Sequence, residues 1–526
     1  MQQKKLTQNL NKIFKEYNIY LYIFFISFFS FFITILYGFR GIFPIDSFLI
    51  YDSGFKVLNG YHPFKDYWSI TGPILDYFQY IYFEIFGVNW LSYVLHSSSI
   101  NLILSLTLFF FFLKLGLKKI YSFIYAISVS ILGYPTAGTP FMDHHATIFS
   151  LIAVMLLILS IKRSQNLLWF FIPVVLTVSF LSKQIPAAYL LISFALIIFT
   201  NIFLTSYKDI KSYYYIIYGG LFSIFAVALF FLYNDIPFKN FFIQYLLYPL
   251  EIGNNRSSKI NLDLNNLVLQ FKFIYFALLP LILIIFKNIN KWKKNLNSKK
   301  DLLIIISTIF LIFVFIYCQI LTKNQILIFF LIPFCLGISQ YYSLRYYNKK
   351  FLSFFLIFIL VTTTVKFHLR FNENKKFMEL NNVDMKFAVN AEKLDTSLDG
   401  LLWITPNFPS DPTGEIKKLN ELKKILIFDK SKKIVLSDYQ ILPSISNIEQ
   451  VAPNKWFDIL SVPPKESEFF LEYKKFFLKS LKKQKIETIY FTNDKEIYLK
   501  DILQNCEQKY KINEISYKLN IKNCLN

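Results

Sequence analysis

The side chains able to do chemistry cluster in polar stretches between long apolar runs. The richest stretch, 40–89, holds Asp46, Asp52, Lys56, His62, Lys65, Asp66 and Asp76 among aromatics. A carboxylate near a membrane surface can take the proton of a hydroxyl nucleophile, and Asp46, just ahead of an apolar helical pattern, is the candidate base. Asp46 also sits where an Asp would cap a helix by accepting backbone N–H bonds, and one residue can do both. Asp52 and Lys56 stand four apart in the acid-first order that favours a helical ion pair. Asp52 is therefore divided between substrate contact and pairing. Lys65 and Asp66 are further candidates for binding substrate, and His62 is a weaker one.

A second stretch reads Met142-Asp143-His144-His145. Ionisable groups at a membrane boundary are costly unless they face a cavity, which makes Asp143 a second catalytic candidate and His144 and His145 candidates for binding substrate. Capping of the following helix is the competing role for Asp143. Carboxylate and imidazole both ligate divalent ions, so Asp143 and His144 are the candidate metal ligands. Successive helical residues point about 100° apart, so both histidines do not serve one ion. Lys183-Gln184 ends an apolar run on the side where positive charge is otherwise sparse. Lys183 fits a phosphate clamp or a lysine snorkelling to the interface, and Gln184 is grouped with it. Arg256, in Leu250-Glu-Ile-Gly-Asn-Asn-Arg256, is a comparable clamp, and Asn255-Arg256-Ser257 also matches a glycosylation sequon. His96, alone in an apolar run, reads as a core histidine. Tyr67, Trp68, Tyr77, Tyr80 and Tyr82 read as an interfacial aromatic belt in preference to a sugar-stacking wall.

Long apolar elements must position these groups. Of 526 residues 55% are hydrophobic, and the mean hydropathy is +0.42. Apolar runs recur at 19–39, 90–113, 120–134, 145–161, 167–182, 186–205, 213–233, 268–286, 302–320, 326–343 and 351–366. About 20 residues of helix cross ~30 Å of hydrocarbon, where the backbone must satisfy itself. The fold class expected is an α-helical polytopic membrane protein of about eleven spans. Lysines and arginines follow the even-numbered runs, which places the N-terminus in the cytoplasm and stretches 40–89, 135–144 and 234–266 outside. The net charge of +22 is read as this topology signal and not as a nucleic-acid surface. The first run is longer than a signal-peptide core and lacks a cleavage site, so it is read as a retained span.

Composition changes near 367, where charges intersperse and Pro406, Pro409 and Pro412 punctuate. Strands are expected at Leu401–Thr405, Lys433–Ser437 and Glu487–Phe491, and helices at Glu415–Lys424, Glu466–Lys482 and Lys495–Gln504. Their alternation predicts a soluble α/β domain. The division is 1–366 for the membrane domain and 367–526 for an extracytoplasmic, periplasmic one. Cys318 and Cys335 fall in apolar runs and read as inert. Cys506 and Cys524 are a disulfide if the tail is extracytoplasmic, or two free thiols.

The order Asp46, Gly60, Pro63, Asp66, Gly72-Pro73 and Phe86-Gly87 resembles the first outer loop of GT-C fold membrane glycosyltransferases. The similarity is to the dolichyl-phosphate-mannose protein mannosyltransferase and aminoarabinose transferase branch, and it spans about residues 19–210. It implies an inverting transfer of a hexosyl- or pentosyl-type sugar from a polyprenyl-phosphate donor. The acceptor implied is a cell-envelope glycan, lipid or protein on the extracytoplasmic face of an inner or plasma membrane. Membrane lipids are the surrounding partner. No cofactor is required by this chemistry, with a divalent metal ion the one option left open. The alternative reading is a transporter or flippase, or a polymerase or ligase, for lipid-linked glycans. Transporters tend to carry two related halves, and no such halves are visible in this sequence.

Overall fold

The structure is a computed structural model that describes residues 2–133, 138–163, 165–204, 211–257, 263–288, 296–322, 328–347, 350–503, 506 and 509–522. Each apolar run falls on a helix: α1 (Gln2–Gly38), α5 (Trp90–Leu115), α6 (Lys119–Leu132), α7 (Met142–Arg163), α8 (Asn166–Ser182), α9 (Gln184–Leu204), then Tyr214–Tyr233, Lys272–Lys287, Leu296–Thr322, Leu331–Tyr347 and Lys350–His368. Among the described residues, seven helices are long and apolar enough to cross a membrane, and Lys119–Leu132 and Asn166–Ser182 are shorter apolar helices. Their outward faces are apolar: Phe24, Phe28 and Phe32 on α1, Leu191 and Phe199 on α9, and Phe351 and Phe354 on the last helix are exposed. Polar groups turn inward instead. Buried Asn101 of α5 donates to Thr34 Oγ1 on α1 (3.0 Å) and to Ser130 O on α6 (2.9 Å). That pattern suits a multi-pass membrane bundle, where lipid supplies no hydrogen bonds and interhelical ones hold helices together.

Stretch 40–89 folds as short helices on one end of the bundle: α2 (Pro44–Ser47), α3 (Leu49–Leu58) and α4 (Ile74–Phe86). α2 ends at Ser47 and α3 begins at Leu49, with Phe48 between them. α3 stops at Asn59-Gly60, where Gly60 takes φ +78, the left-handed conformation that glycine reaches without strain.

The C-terminal region lies against these helices. Strands β1 (Val389–Asn390) and β2 (Leu402–Trp403) pair antiparallel. A separate mixed sheet has the order β3-β4-β6-β5, formed by β3 (Lys433–Leu436), β4 (Thr488–Thr492), β5 (Lys509–Lys511) and β6 (Ser516–Asn520). β3 and β4 are parallel, joined by a crossover that contains helix Phe470–Gln484. Helix Pro412–Phe428 starts at Asp411, whose carboxylate accepts from Gly414 N at 2.8 Å. The expected strand at Leu401–Thr405 shrinks to β2 and lies outside the main sheet. The expected helix from Lys495 is a turn followed by the short helix Ile497–Lys500, and Gln504 lies outside the described residues. Cys318 and Cys335 are free and buried. Cys506 is disulfide-bonded, and Cys524 lies outside the described residues.

One apolar core joins the two regions. Phe48, Leu49, Ile50 and Tyr51 pack with Leu398, Trp403, Ile416 and Leu419, and the Phe48 ring stacks on Trp403 at 5.8 Å. Buried Glu415 accepts from Trp403 Nε1 (2.8 Å) and Thr405 Oγ1 (2.9 Å) and anchors that wall.

Candidate functional site

Asp46 is placed by backbone pairing of the segment just before it. Gly41 N donates to Leu402 O (2.9 Å), Ile42 N to Ile404 O (3.0 Å), and Leu402 N to Phe39 O (2.9 Å). The chain leaving α1 is thus an added strand on β2, and its direction into α2 is fixed by the C-terminal region. Pro44 supplies a preset φ for the first turn. Ser47 Oγ, and not Asp46, accepts from Phe43 N at 3.1 Å. Neither α2 nor α3 has a side-chain cap at its own N-cap position. The capping role expected for Asp46 is therefore taken by Ser47 reaching back, and the Asp46 carboxylate is left for other work.

What faces Asp46 is charge from four other segments. Burial pushes its carboxyl up to about 7, and Asp143, Asp458 and Asp438 push the same way, while Lys183 opposes them. Asp143 stands in the first turn of α7 and Lys183 at the end of α8, and their side chains pair at 2.5 Å. The structure thus pairs two of the sequence candidates, Asp143 and Lys183, and their charges act on a third, Asp46. Asp438 and Asp458, from the C-terminal region, were not singled out by sequence. Asp458 accepts from Leu460 N (2.9 Å) and Ser461 N (2.6 Å), and Asp438 pairs with Lys495 at 2.7 Å. An Asp that closes a turn carries no sequence mark separating it from any other turn Asp.

Gly72 locks loop and bundle together at this point. Its N–H donates to Ser182 O at 3.2 Å, and a Cβ on it would lie 1.7 Å from Leu181 O. That atom is backbone and cannot swing aside. We expect Gly72→Ala to push the end of α8, and Lys183 with it, away from Asp46. Overpacking of this kind costs about 1–3 kcal/mol, so the detergent-solubilised variant should unfold at a visibly lower temperature. An unchanged melting temperature would contradict the close approach.

The remaining candidates take other places. Gln184 Nε2 donates to Tyr245 O (2.7 Å) and Ile70 O (3.0 Å), tying two loops beside Lys183. Asp52 pairs with Lys56 at 2.7 Å, both buried, and the two line a cavity against β3 with Ser437 and Asn454. Asp66 is buried, accepts from His62 N at 3.0 Å, and pairs with Lys483 of helix Phe470–Gln484 at 2.9 Å. Lys65 donates to Asn234 O at 2.9 Å, with Asp235 3.7 Å away. Arg256 stands on helix Tyr248–Ser257, whose Glu251 accepts from Ser467 at 2.9 Å. Asp52, Asp66 and Lys65 are thus engaged with Lys56, Lys483 and the Asn234 carbonyl.

The expected aromatic belt is also redrawn. Trp68 is buried against Tyr248, Tyr473 and Phe476, and Tyr67 is buried with its hydroxyl donating to Asp76 at 2.9 Å. Both are plugs between loop and C-terminal region, because the chain folds back over a surface that sequence alone presents as open.

His144 and His145 are wholly buried. His145 Nδ1 donates to Phe141 O at 3.0 Å. Its Nε2 is then an acceptor for His96 Nε2–H at 3.1 Å, so His96 Nδ1 is itself an acceptor. The Gln79 side chain, 3.0 Å from that nitrogen, must present its amide N–H there. Interchanging its two amide atoms does so and also satisfies Gln79 Nε2, which otherwise has no partner. His145 thus closes a chain of neutral groups inside the bundle, with His96 a satisfied core histidine.

Among the described residues, no three His, Cys, Asp or Glu side chains converge as a metal group would require. The Lys183 ammonium already holds Asp143 Oδ1, and His145 is committed elsewhere. Lys183 neutralises the Asp143 carboxylate directly.

No protein-family model matches the chain, and no curated protein matches it. Among solved structures it is similar to the archaeal oligosaccharyltransferase AglB from Archaeoglobus fulgidus in complex with an inhibitory peptide and a dolichol-phosphate. There the TM-score is 0.47 at 12% identity, covering 91% of this chain and 70% of that one. The Archaeoglobus fulgidus oligosaccharyltransferase complex with Zn and sulfate gives 0.47 at 12% identity, over 90% of this chain and 68% of that one. The same enzyme tethered by a disulfide to an acceptor peptide containing the NVT sequon gives 0.45 at 12% identity, over 91% and 70%.

Proposed function

We propose that the protein is a GT-C-type glycosyltransferase that moves a sugar from a polyprenyl-phosphate-linked donor to a cell-envelope glycan, lipid or protein. Its site faces the extracytoplasmic side of an inner or plasma membrane, with the N-terminus in the cytoplasm. The observation that carries this reading is Asp46, raised to about 7 at the end of an apolar bundle and flanked by the Asp143–Lys183 pair. A general base works best with a pKa near the operating pH, and an ordinary surface Asp would be a far weaker one.

In this reading the acceptor oxygen attacks the anomeric carbon of the donor sugar while its proton passes to the Asp46 carboxylate. The anomeric carbon–oxygen bond to phosphate breaks, and its electron pair leaves on the phosphate, with inversion at carbon. Lys183 offers positive charge where the leaving phosphate gains negative charge, an electrostatic stabilisation of the transition state. Asp143 holds the lysine in place. The C-terminal region, 367–526, fixes the approach of the chain to Asp46 and adds Asp458 and Asp438 to its surroundings.

The direct test supplies the purified protein in nanodiscs with synthetic polyprenyl phosphates carrying single sugars and with total envelope acceptors. Release of polyprenyl phosphate coupled to acceptor labelling is expected. Binding of donor with neither release nor transfer would move the assignment to transport.

The pH dependence follows from the direction of the Asp46 shift. The base must be ionised, so the rate should rise through pH 7 and fall away below it. The Lys183 ammonium lowers the Asp46 value. Lys183→Met is therefore expected to move the rising limb to higher pH as well as to slow transfer by about 10²- to 10³-fold, the scale of losing one preorganised charge or donor. A slower variant with an unmoved pH profile would separate Lys183 from Asp46.

A further inference from the structure

Three cations gather around one aromatic stack at the end of the bundle that carries stretch 40–89. Phe367, at the end of helix Lys350–His368, stacks on Phe329 at 4.0 Å and lies 5.7 Å from Phe371. Phe273, in the first turn of helix Lys272–Lys287, meets Phe367 edge-on at 5.9 Å. Lys366 Nζ stands 4.5 Å from the Phe273 ring centroid, and Lys272 Nζ 5.7 Å from the same centroid. Arg370 Cζ stands 5.2 Å from the centroid of Phe371. Lys366 and Arg370 are about one turn apart, which makes them neighbours on one helical face. All three cations are exposed. His368, between them in the chain, lies 3.3 Å from Tyr37 Oη on α1, which fixes the end of the bundle at which the cluster stands.

Among the described residues no carboxylate pairs with any of the three. Glu373, the acid nearest in the chain to Arg370, accepts from Tyr37 Oη and faces His368 at 3.7 Å. Asp263, the acid nearest in the chain to Lys272, accepts from Asn266 N at 2.7 Å. The undescribed stretches 134–137, 258–262 and 323–327 contain no Asp or Glu. Lys366 feels the charges of both Lys272 and Arg370. Like charges held together repel, and an anion set among them removes that cost. A single lysine at a helix end snorkels to the interface, but three cations set over the faces of a packed ring system make a site. Lysine and arginine together suit a phosphate. The flank of the cluster says which phosphate. Val365 and Leu369, each one residue before a cation, and Phe276, a turn beyond Lys272, are exposed on the outward surface of the bundle. We propose that Lys272, Lys366 and Arg370 bind the phosphate of an anionic phospholipid, whose chains lie along Val365, Leu369 and Phe276. A zwitterionic headgroup would bring a fourth cation to the cluster, which favours an anionic one. The site is open at the outside of the bundle, which suits bulk phospholipid and not the polyprenyl-phosphate donor. The bound lipid holds the end of the last helix, where the chain passes into region 367–526. The proposal is independent of the glycosyltransferase reading.

The test titrates phosphatidylglycerol, phosphatidylcholine and polyprenyl phosphate onto the full-length protein in detergent, with bound lipid counted by native mass spectrometry. Melting temperatures are followed in phosphatidylcholine nanodiscs with and without phosphatidylglycerol. Wild type is expected to prefer phosphatidylglycerol and to melt higher in its presence, since a ligand of the folded state stabilises it. Lys366→Gln or Arg370→Gln should weaken the tightest phosphatidylglycerol about 5-fold, and the triple variant Lys272→Gln/Lys366→Gln/Arg370→Gln about 100-fold, the scale of removing one and three cations from a charged lipid surface. In phosphatidylcholine alone the variants should melt close to wild type, because the three side chains are exposed. If the triple variant fails to fold, the two single variants decide. Unchanged phosphatidylglycerol affinity in the single variants would overturn the proposal. Equal binding of the two phospholipids by wild type would also overturn it and leave the cations as snorkelling side chains. Displacement of phosphatidylglycerol by stoichiometric polyprenyl phosphate would overturn it in favour of a donor phosphate site. Because no turnover is read, a failure of sugar transfer leaves each of these outcomes as it stands.

Discussion

Asp46→Asn should abolish sugar transfer while leaving the protein inserted, folded and, above pH 7, more stable than wild type. The loss expected is about 10²- to 10⁴-fold, the usual worth of a positioned general base. The amide keeps the shape of the side chain and removes only its capacity to accept a proton. The stability change has a definite sign. The Asp46 carboxyl rises from 3.8 unfolded to about 7 folded, so the folded state binds the proton more tightly. Ionising the group therefore opposes folding: stability is lost as pH climbs from about 4 to 7 and is level above. At roughly 1.4 kcal/mol per pKa unit, the penalty removed by Asn has an upper bound near 4 kcal/mol. Melting curves at pH 5 and pH 8 should show the variant gaining mainly at the higher pH. Full activity in Asp46→Asn would remove it as the base. Inactivity without the pH-dependent gain in stability would show that Asn had damaged the site by another route.

The bundle was legible because its signal is local: a run of apolar residues about as long as a membrane is thick reads as a helix from the sequence itself. Asp46, Asp143 and Lys183 stand out as candidates for a related reason, since each is a charge at the end of an apolar element, where it has to be accounted for. Their convergence was not legible, because it depends on how α7, α8 and the loop pack. The C-terminal strands show the opposite case. β5 and β6, Lys509–Lys511 and Ser516–Asn520, carry little apolar alternation; β6 exists because β4 offers an edge to pair with, and β5 because β6 then offers the next one. Trp68 misled because an aromatic near a membrane end suits a belt equally well as a buried plug.

The contact between loop and C-terminal region carries the other large expected effect. Lys455 pairs with Asp76 at 2.6 Å with the two side chains 1% and 0% exposed. Asp76 also accepts from Ser53 Oγ and Tyr67 Oη, both at 2.9 Å. Around the pair, Lys455 N donates to Trp68 O and Trp68 N to Pro453 O, again at 2.9 Å. Two charges taken out of water gain little net stability as a pair, yet removing one of them strands the other at a cost of about 3–5 kcal/mol. Asp76→Asn leaves an ammonium buried beside Lys56, which already opposes its charge, and should be the more damaging single change. Lys455→Met leaves a carboxylate that can still accept from two hydroxyls, and should cost less. The double variant Asp76→Leu/Lys455→Met strands no charge and should recover most of the loss, giving a coupling energy well above the ~0.5 kcal/mol expected of independent sites. Because the same loop holds Gly72 against the end of α8, the single variants should also lose transfer activity at temperatures where they remain folded. Additive effects in the cycle, or single variants as stable as wild type, would mean that the apolar core around Phe48 and Trp403 holds the two regions together without help from this pair.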